Sequence, residues 1–249
     1  MSIGLRGAQV SEINLATNID GLRDGRIARA DAALRVQASA NKAYWLAADW
    51  IKYGLDVFLA ATALILLSPM LMMAVILLLL VQGGPIFIAH RRIGRHGVIF
   101  PCFKLRTMVS NGDELLAQHL ATNPELRAEW QATQKLKDDP RVTPLGRIIR
   151  KNSIDEIPQL LNVIRGEMSL VGPRPIVAKE AEFYGQHFSH YIKVRPGLTG
   201  LWQVSGRSDT SYKTRVELDV RYVSERSICG DVMIMAKTLP AVLASRGSY

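Results

Sequence analysis

The chain has 249 residues, enough to bury one sizeable core, and combines 48% apolar residues with a net charge of +9. That charge calls for an anionic partner, whether nucleic acid, an acidic membrane surface or phosphorylated substrates, and composition does not choose among them. Cys102 and Cys229 lie far apart without a CxxC or a nearby histidine pattern, which argues against a zinc site and favours a reduced cytosolic environment.

Residues 1–45 read as a polar tail, flexible or loosely helical, without the continuous apolar core of a signal peptide. Residues 46–84 read as a membrane-associated segment, because Gly54 to Val81 carries a single charge, Asp56. A straight helix over that stretch would run roughly 42 Å, against a hydrocarbon core of about 30 Å. Ser68-Pro69 falls at its middle and predicts a division into two halves of roughly 20 Å, since proline removes a backbone donor. Lys52 precedes the segment and His90, Arg91, Arg92 and Arg95 follow it, so both flanks carry the charge expected of cytoplasmic loops. A kinked span and a re-entrant hairpin both fit these residues. Tolerance of proline in ordinary spans tilts the reading toward the span.

Residues 85–249 read as a largely cytosolic domain. "PIFIAH" and "GVIFPCFKLRTM", separated by Gly94 and Gly97, predict a β-hairpin with a glycine-containing loop. The polar, helix-favouring stretch that follows is broken at Asn123-Pro124. Near the C-terminus "GDVMIMAKTLPAVLAS" is too short to span and is interrupted by Pro240, so it either lies in the membrane interface or packs on the core.

Chemistry concentrates between Arg141 and Arg207. Arg147 and Arg150, three apart, share a helical face and could grip a diphosphate, although a solvated basic face against acidic lipid explains them as well. Asp155 and Glu156 follow at once. Ser153 with Glu156 fits a capping box, which would make the acids structural, while Pro158 favours a helix that starts later. Pro173 and Pro175 hold the backbone around Arg174. "VRPGLTGLWQVSGR" adds Arg195, Arg207 and Trp202, an indole fit to wall a base or headgroup and equally fit to pack in a core.

From about Lys52 onward the chain closely resembles the bacterial sugar transferases, the monotopic phosphoglycosyl transferases that initiate polysaccharide assembly on polyprenol phosphate. The resemblance rests on Ser68-Pro69, "FKLRTM", "DPRVTPLGRIIRKNSIDEIPQLLNVIRGEMSLVGPRP" and "RPGLTGLWQVSGR", met in that order. With the terminal "SRGSY" it is nearest to exopolysaccharide-initiating galactosyl- or glucosyl-phosphate transferases. The resemblance implies an α+β, mostly helical fold: a re-entrant membrane helix-hairpin broken at Ser68 and Pro69, then a cytosolic catalytic domain with a small β-hairpin and interfacial amphipathic helices. It reverses the preference for a span.

The resemblance further implies that Asp155 is the nucleophile and Glu156 a ligand of Mg²⁺. Lys104, Arg106, Arg147, Arg150, Arg174, Arg195 and Arg207 become substrate-binding candidates. A helix N-terminus near Asp155 would keep its carboxylate ionised. The implied substrates are a UDP-sugar and undecaprenyl phosphate, with release of UMP through a covalent phosphosugar-aspartate. Expected partners are inner-membrane lipids and downstream glycosyltransferases, with room for a homo-oligomer and no role for nucleic acid. The expected place is the cytoplasmic face of the bacterial inner membrane. Competing classes are a glycosyltransferase using Asp138-Asp139 for metal, a noncatalytic membrane adaptor that leaves the acid pair unexplained, and a nucleic-acid binder that accounts for the charge alone.

Overall fold

The computed structural model describes residues 48–133, 136, 138–205 and 211–243. Its first element is a helix, α1 (Ala48–Gln82), that continues through Ser68 and Pro69. The expected division into halves is therefore not an interruption of helical structure. A local substitution explains why. Pro69 cannot donate to the carbonyl of Ile65, and the hydroxyl of Ser68 donates to that same oxygen at 2.7 Å, so the orphaned acceptor is satisfied.

One stripe of α1 is covered. Asp56, Ala60, Ala74 and Leu78 are buried at helical spacing, with Ala63, Leu64, Leu67 and Leu71 partly buried between them. The opposite side stays open, with Phe58, Ile65, Leu66, Met72, Met73 and Leu80 at 64–77% exposure. An apolar surface of that extent marks an interaction face rather than ordinary protein exterior.

The predicted hairpin is present. β1 (Phe87–Ile93) pairs antiparallel with β2 (Ile99–Leu105), from Phe87↔Leu105 at the open end to Ile93↔Ile99 at the turn. His96 and Gly97 turn the chain with φ of 59° and 78°, left-handed values that glycine adopts without strain. α2 (Gly112–Thr122) and α3 (Pro124–Thr133) meet at the predicted break, where the Asn123 side chain accepts from the backbone N–H groups of Glu125 and Leu126.

α4 (Pro144–Lys151) starts with proline in its first turn and Thr143 as N-cap, whose hydroxyl accepts from Gly146 N–H at 2.9 Å. Any side chain at Gly146 would run into the backbone carbonyl of Thr107, so glycine lets α4 lie against the end of β2. A single 3₁₀ turn (Ile154–Glu156) then leads to α5 (Gln159–Ile164), with Pro158 at the N-cap. Pro158 does delay the helix, and by more than the one or two residues its position suggested. The capping box is not formed: Ser153 sits in the left-handed region at φ 56° and its side chain makes no cap hydrogen bond.

β3 (Ser169–Val171) runs parallel to β4 (Gly197–Thr199). Between them lie α6 (Ala181–Tyr184) and α7 (Phe188–Tyr191), and after them come α8 (Leu201–Val204), α9 (Tyr212–Glu225) and α10 (Ile228–Leu243). The C-terminal apolar stretch is this last helix: Ile234 packs against Val171 and Tyr222, while Val232 and Met233 remain 56% and 60% exposed. Mostly helical, with two small two-stranded sheets, the fold is α+β as expected.

The core is divided. Phe100, Cys102, Ile157, Leu160, Val163 and Met168 close over Ala60, and Leu105 and Ile149 close over Ala74 and Leu78, so β2, α4 and α5 take up the covered stripe of α1. A separate cluster joins Ile93 and Ile176 to Tyr184, Tyr191 and Val216, without a residue of α1.

Candidate active site

Asp155 and Glu156 leave the protein backbone in the 3₁₀ turn between α4 and α5. The left-handed turn at Ser153 reverses the chain after α4 and directs Asp155 inward, where it is 7% exposed. Ile157, Leu160 and Val163 anchor the following segment in the core, so the acids are held from the C-terminal side by apolar packing. From the opposite side comes β2. Its Lys104 places Nζ 2.6 Å from Glu156 Oε1 and 3.8 Å from Asp155 Oδ2.

Asn162 keeps these two elements in register. With no exposed surface, it accepts from Phe103 N–H at 3.0 Å and donates to the Pro101 carbonyl at 2.7 Å and to Glu167 Oε2 at 2.6 Å. A buried amide with every bond made in one geometry fixes a unique arrangement. The sequence reading missed it, as it missed Gln159, which is buried and hydrogen-bonds Glu156. Gln159 lies three residues beyond Glu156, a helical spacing that could have revealed it.

The two carboxylates differ in proton affinity. Burial pushes Asp155 up to about 6 and Glu156 adds to the rise, while Lys104 and Arg150 oppose it. Glu156 is pulled the other way: against its own burial, Lys104 and Arg174 hold it ionised at about 2. The helix N-terminus expected to keep Asp155 ionised is one short 3₁₀ turn, whose small dipole does not offset desolvation, so the carboxyl rises to about 6.

The predicted cations divide. Lys104 touches the dyad, Arg150 lies close enough to act on Asp155 while its Nε donates to Thr107 Oγ1 at 2.7 Å, and Arg174 acts on Glu156 from the loop after β3. Arg106 does something else. Buried at 8% exposure, its guanidinium donates to the carbonyls of Gln82, Gly83 and Gly84 at 2.7–3.0 Å and braces the chain where it leaves α1. Arg195 donates to the Gly166 carbonyl at 2.9 Å and stacks 4.6 Å from the Tyr53 ring, so it joins α1 to the domain. Arg147 is exposed on α4, whereas Arg150 is partly buried. Arg207 lies outside the described residues. Of the rival metal pair, Asp139 is engaged: it accepts three hydrogen bonds from the Arg141 guanidinium at 2.6–3.1 Å.

Among the described residues no three His, Cys, Asp or Glu side chains converge on one point. Magnesium is commonly held by one or two carboxylates with substrate phosphates and water. Glu156, an ionised oxygen donor beside Asp155, fits that mode.

Residues 47–245 match the family described as bacterial sugar transferase. The chain is 53% identical over 198 residues to the exopolysaccharide production protein ExoY of Sinorhizobium fredii, covering 80% of this chain and 88% of that protein. It is 46% identical over 216 residues to the undecaprenyl-phosphate galactose phosphotransferase of Salmonella typhimurium, covering 87% of this chain and 44% of that protein. With the UDP-glucose:undecaprenyl-phosphate glucose-1-phosphate transferase of Caulobacter vibrioides it shares 37% identity over 212 residues, 82% of this chain and 74% of that protein. By the extent of that match, the protein is a member of the bacterial sugar transferase family.

Proposed function

We propose that the protein is a phosphoglycosyl transferase that moves a sugar 1-phosphate, of the galactose or glucose type, from a UDP-sugar to undecaprenyl phosphate and so starts an exopolysaccharide. The names of its relatives support the reaction class. The observation that carries the mechanism is the buried Asp155 beside an ionised Glu156, with Lys104 bridging both and Arg150 and Arg174 close by.

Asp155 attacks the sugar-bearing phosphorus, a phosphorus–oxygen bond forms to its carboxylate, and the bond to the UMP phosphate breaks with its electron pair going to UMP. No proton moves in this step. A carboxylate is a weak nucleophile in water, and burial at 7% exposure strips the hydration that makes it so. Lys104, Arg150 and Arg174 offset the charge of the diphosphate. Mg²⁺, held by Glu156, supplies Lewis-acid neutralisation of the phosphates when bound. An oxygen of the polyprenyl phosphate then attacks the same phosphorus, expels Asp155 as free carboxylate and gives the polyprenyl diphosphosugar.

Residues 46–84 act as a re-entrant anchor, so that the domain of residues 85–249 stays on the cytoplasmic face of the inner membrane. Contacts at both ends of α1 support this. Tyr53 donates to the Ile164 carbonyl at 3.3 Å, Asp56 accepts from Ser169 at 2.7 Å, and Gln82 donates to Thr143 at 2.8 Å, all within one compact unit. A helix that crossed a hydrocarbon core of about 30 Å would carry these ends to opposite surfaces, and one domain could not touch both from water.

The test is incubation with a panel of UDP-sugars and undecaprenyl phosphate, with UMP release scored. Asp155→Asn abolishes release while the protein stays folded and membrane-bound. Release of UDP, or substantial UMP from the variant, overturns the proposal.

A further inference from the structure

Beyond the dyad, arginines on separate elements gather around one indole. Trp202 on α8 is 5% exposed, with the guanidinium carbon of Arg174 6.0 Å and that of Arg215, from α9, 4.9 Å from its ring centroid. Arg92 on β1 is tied to the loop that carries Arg174. Its Nη1 donates to the Pro175 carbonyl at 3.3 Å and to Glu180 at 3.5 Å.

That loop is rigid. Gly172 N–H donates to the Thr199 carbonyl at 2.9 Å, Gly197 N–H to the Pro173 carbonyl at 2.7 Å, and Ile93 N–H to the Ile176 carbonyl at 2.9 Å. The guanidinium groups are therefore positioned before any ligand arrives. Burial and then the charge of Arg174 lower the proton affinity of both Arg92 and Arg215, and the Glu180 carboxylate offsets this only in part. A multiply charged anion relieves such repulsion, and planar guanidinium forks match phosphate oxygens.

The hairpin connects this group to the chemistry: in the register Arg92↔Phe100, His90↔Cys102 and Ile88↔Lys104, Arg92 shares a face with Lys104, whose ammonium touches Glu156 at 2.6 Å. The source of the phosphate follows from the core. The covered stripe of α1 packs with β2, α4 and α5, whereas the elements bearing Arg92 and Arg215 pack in the cluster of Ile93, Ile176, Tyr184, Tyr191 and Val216, which holds no α1 residue. The arginines thus lie toward the part of the domain that does not pack on the membrane helix. That placement favours the soluble nucleotide over the lipid phosphate.

We propose that Arg174 and Arg215, set over Trp202, together with Arg92, fastened to the Arg174 loop, form a phosphate cradle that holds the nucleotide phosphate of the donor and receives its charge as UMP departs. This rests on the function proposed above. The phosphorus–oxygen bond to UMP breaks as the bond to Asp155 forms, and the cradle compensates the charge that collects on the departing phosphate.

The experiment is equilibrium titration of the full chain in lipid nanodiscs with UMP and, in a separate arm, with a polyprenyl phosphate. Arg92→Met and Arg215→Met each weaken UMP binding by about tenfold or more, the loss expected for a charge-assisted hydrogen bond, and leave the lipid arm unchanged. Arg215→Lys, which keeps the charge without the fork, gives an intermediate loss and guards against misfolding of the Met variant. Arg221→Met, on the exposed side of the same helix, binds UMP as the unaltered protein does. UMP affinity within twofold of normal in both Met variants overturns the cradle, and so does a loss confined to the lipid arm. Either result leaves the reaction class intact, which falls only if the unaltered protein releases UDP.

Discussion

Asp155→Asn separates catalysis from folding. Burial raises the Asp155 carboxyl from 3.8 to about 6, so the folded protein binds that proton more tightly than the unfolded chain. A raised folded pKa means stability that is complete below the unfolded value and lost as pH climbs through the folded one. The window is therefore pH 4 to 6, and at pH 7 the ionised carboxylate costs about 3 kcal/mol. Little of this is screened, because the residue is 7% exposed. Asparagine copies the protonated acid and removes that cost. The variant, inactive in UMP release, should melt roughly 6–12 °C higher at pH 7, from about 2–4 °C per kcal/mol for a chain of this size. The difference should vanish near pH 4. The assay is thermal unfolding of both proteins in one detergent from pH 4 to 8. A variant that melts lower than the unaltered protein at pH 7, or an offset independent of pH, refutes the reasoning. The same pKa predicts that kcat/KM falls as pH drops through about 6, where Asp155 takes up its proton.

Other substitutions test the frame around the dyad. Asn162→Leu removes three hydrogen bonds and leaves Phe103 N–H and the Pro101 carbonyl without partners, so it should lower stability by about 3–5 kcal/mol; denaturant titration showing a loss under about 1 kcal/mol would contradict the lock. Arg106→Met should lower the melting temperature and leave KM for the UDP-sugar within about twofold, because its donors go to the carbonyls after α1; a KM rise at unchanged stability would return it to the substrate. Glu156→Gln should cut UMP release and shift its Mg²⁺ dependence to higher concentration, whereas unchanged dependence would remove Glu156 from the metal. Cysteines introduced at the two flanks of α1 should react with a membrane-impermeant reagent from the same side, and labelling from opposite sides would end the re-entrant proposal.

The amino-acid sequence by itself determined what local rules encode. Glycines at 94 and 97 bracket the hairpin turn, Asn123-Pro124 separates α2 from α3, Pro158 delays α5, and the apolar run stands out as the membrane segment, although its helix runs on through Pro69. Each is a matter of a few neighbouring residues and their allowed backbone angles. Asp155 and Glu156 were also visible as a pair, because they are adjacent, and the motif around them carried the family. Their difference was not visible. It needed Lys104, 52 positions before Glu156, to arrive on β2, and Ile157 and Leu160 to seal the opposite side.

Long-range placement likewise sorted the arginines. Arg106, Arg174 and Arg195 read alike in a basic sequence, yet one braces the end of α1, one faces Glu156 and one stacks on Tyr53. Ser153 failed as a cap because reversing the chain after α4 required a left-handed residue there. Arg92 and Arg215 gave no signal at all, since strand and helix positions of ordinary composition gain a role only when folding brings them to Trp202 and the loop after β3. Spacing fixes which residues share an element, while desolvation and Coulomb partners depend on which elements meet. That is why the sequence identified the acids, and the tertiary structure alone decided which cations surround them and which carboxylate holds its proton more tightly.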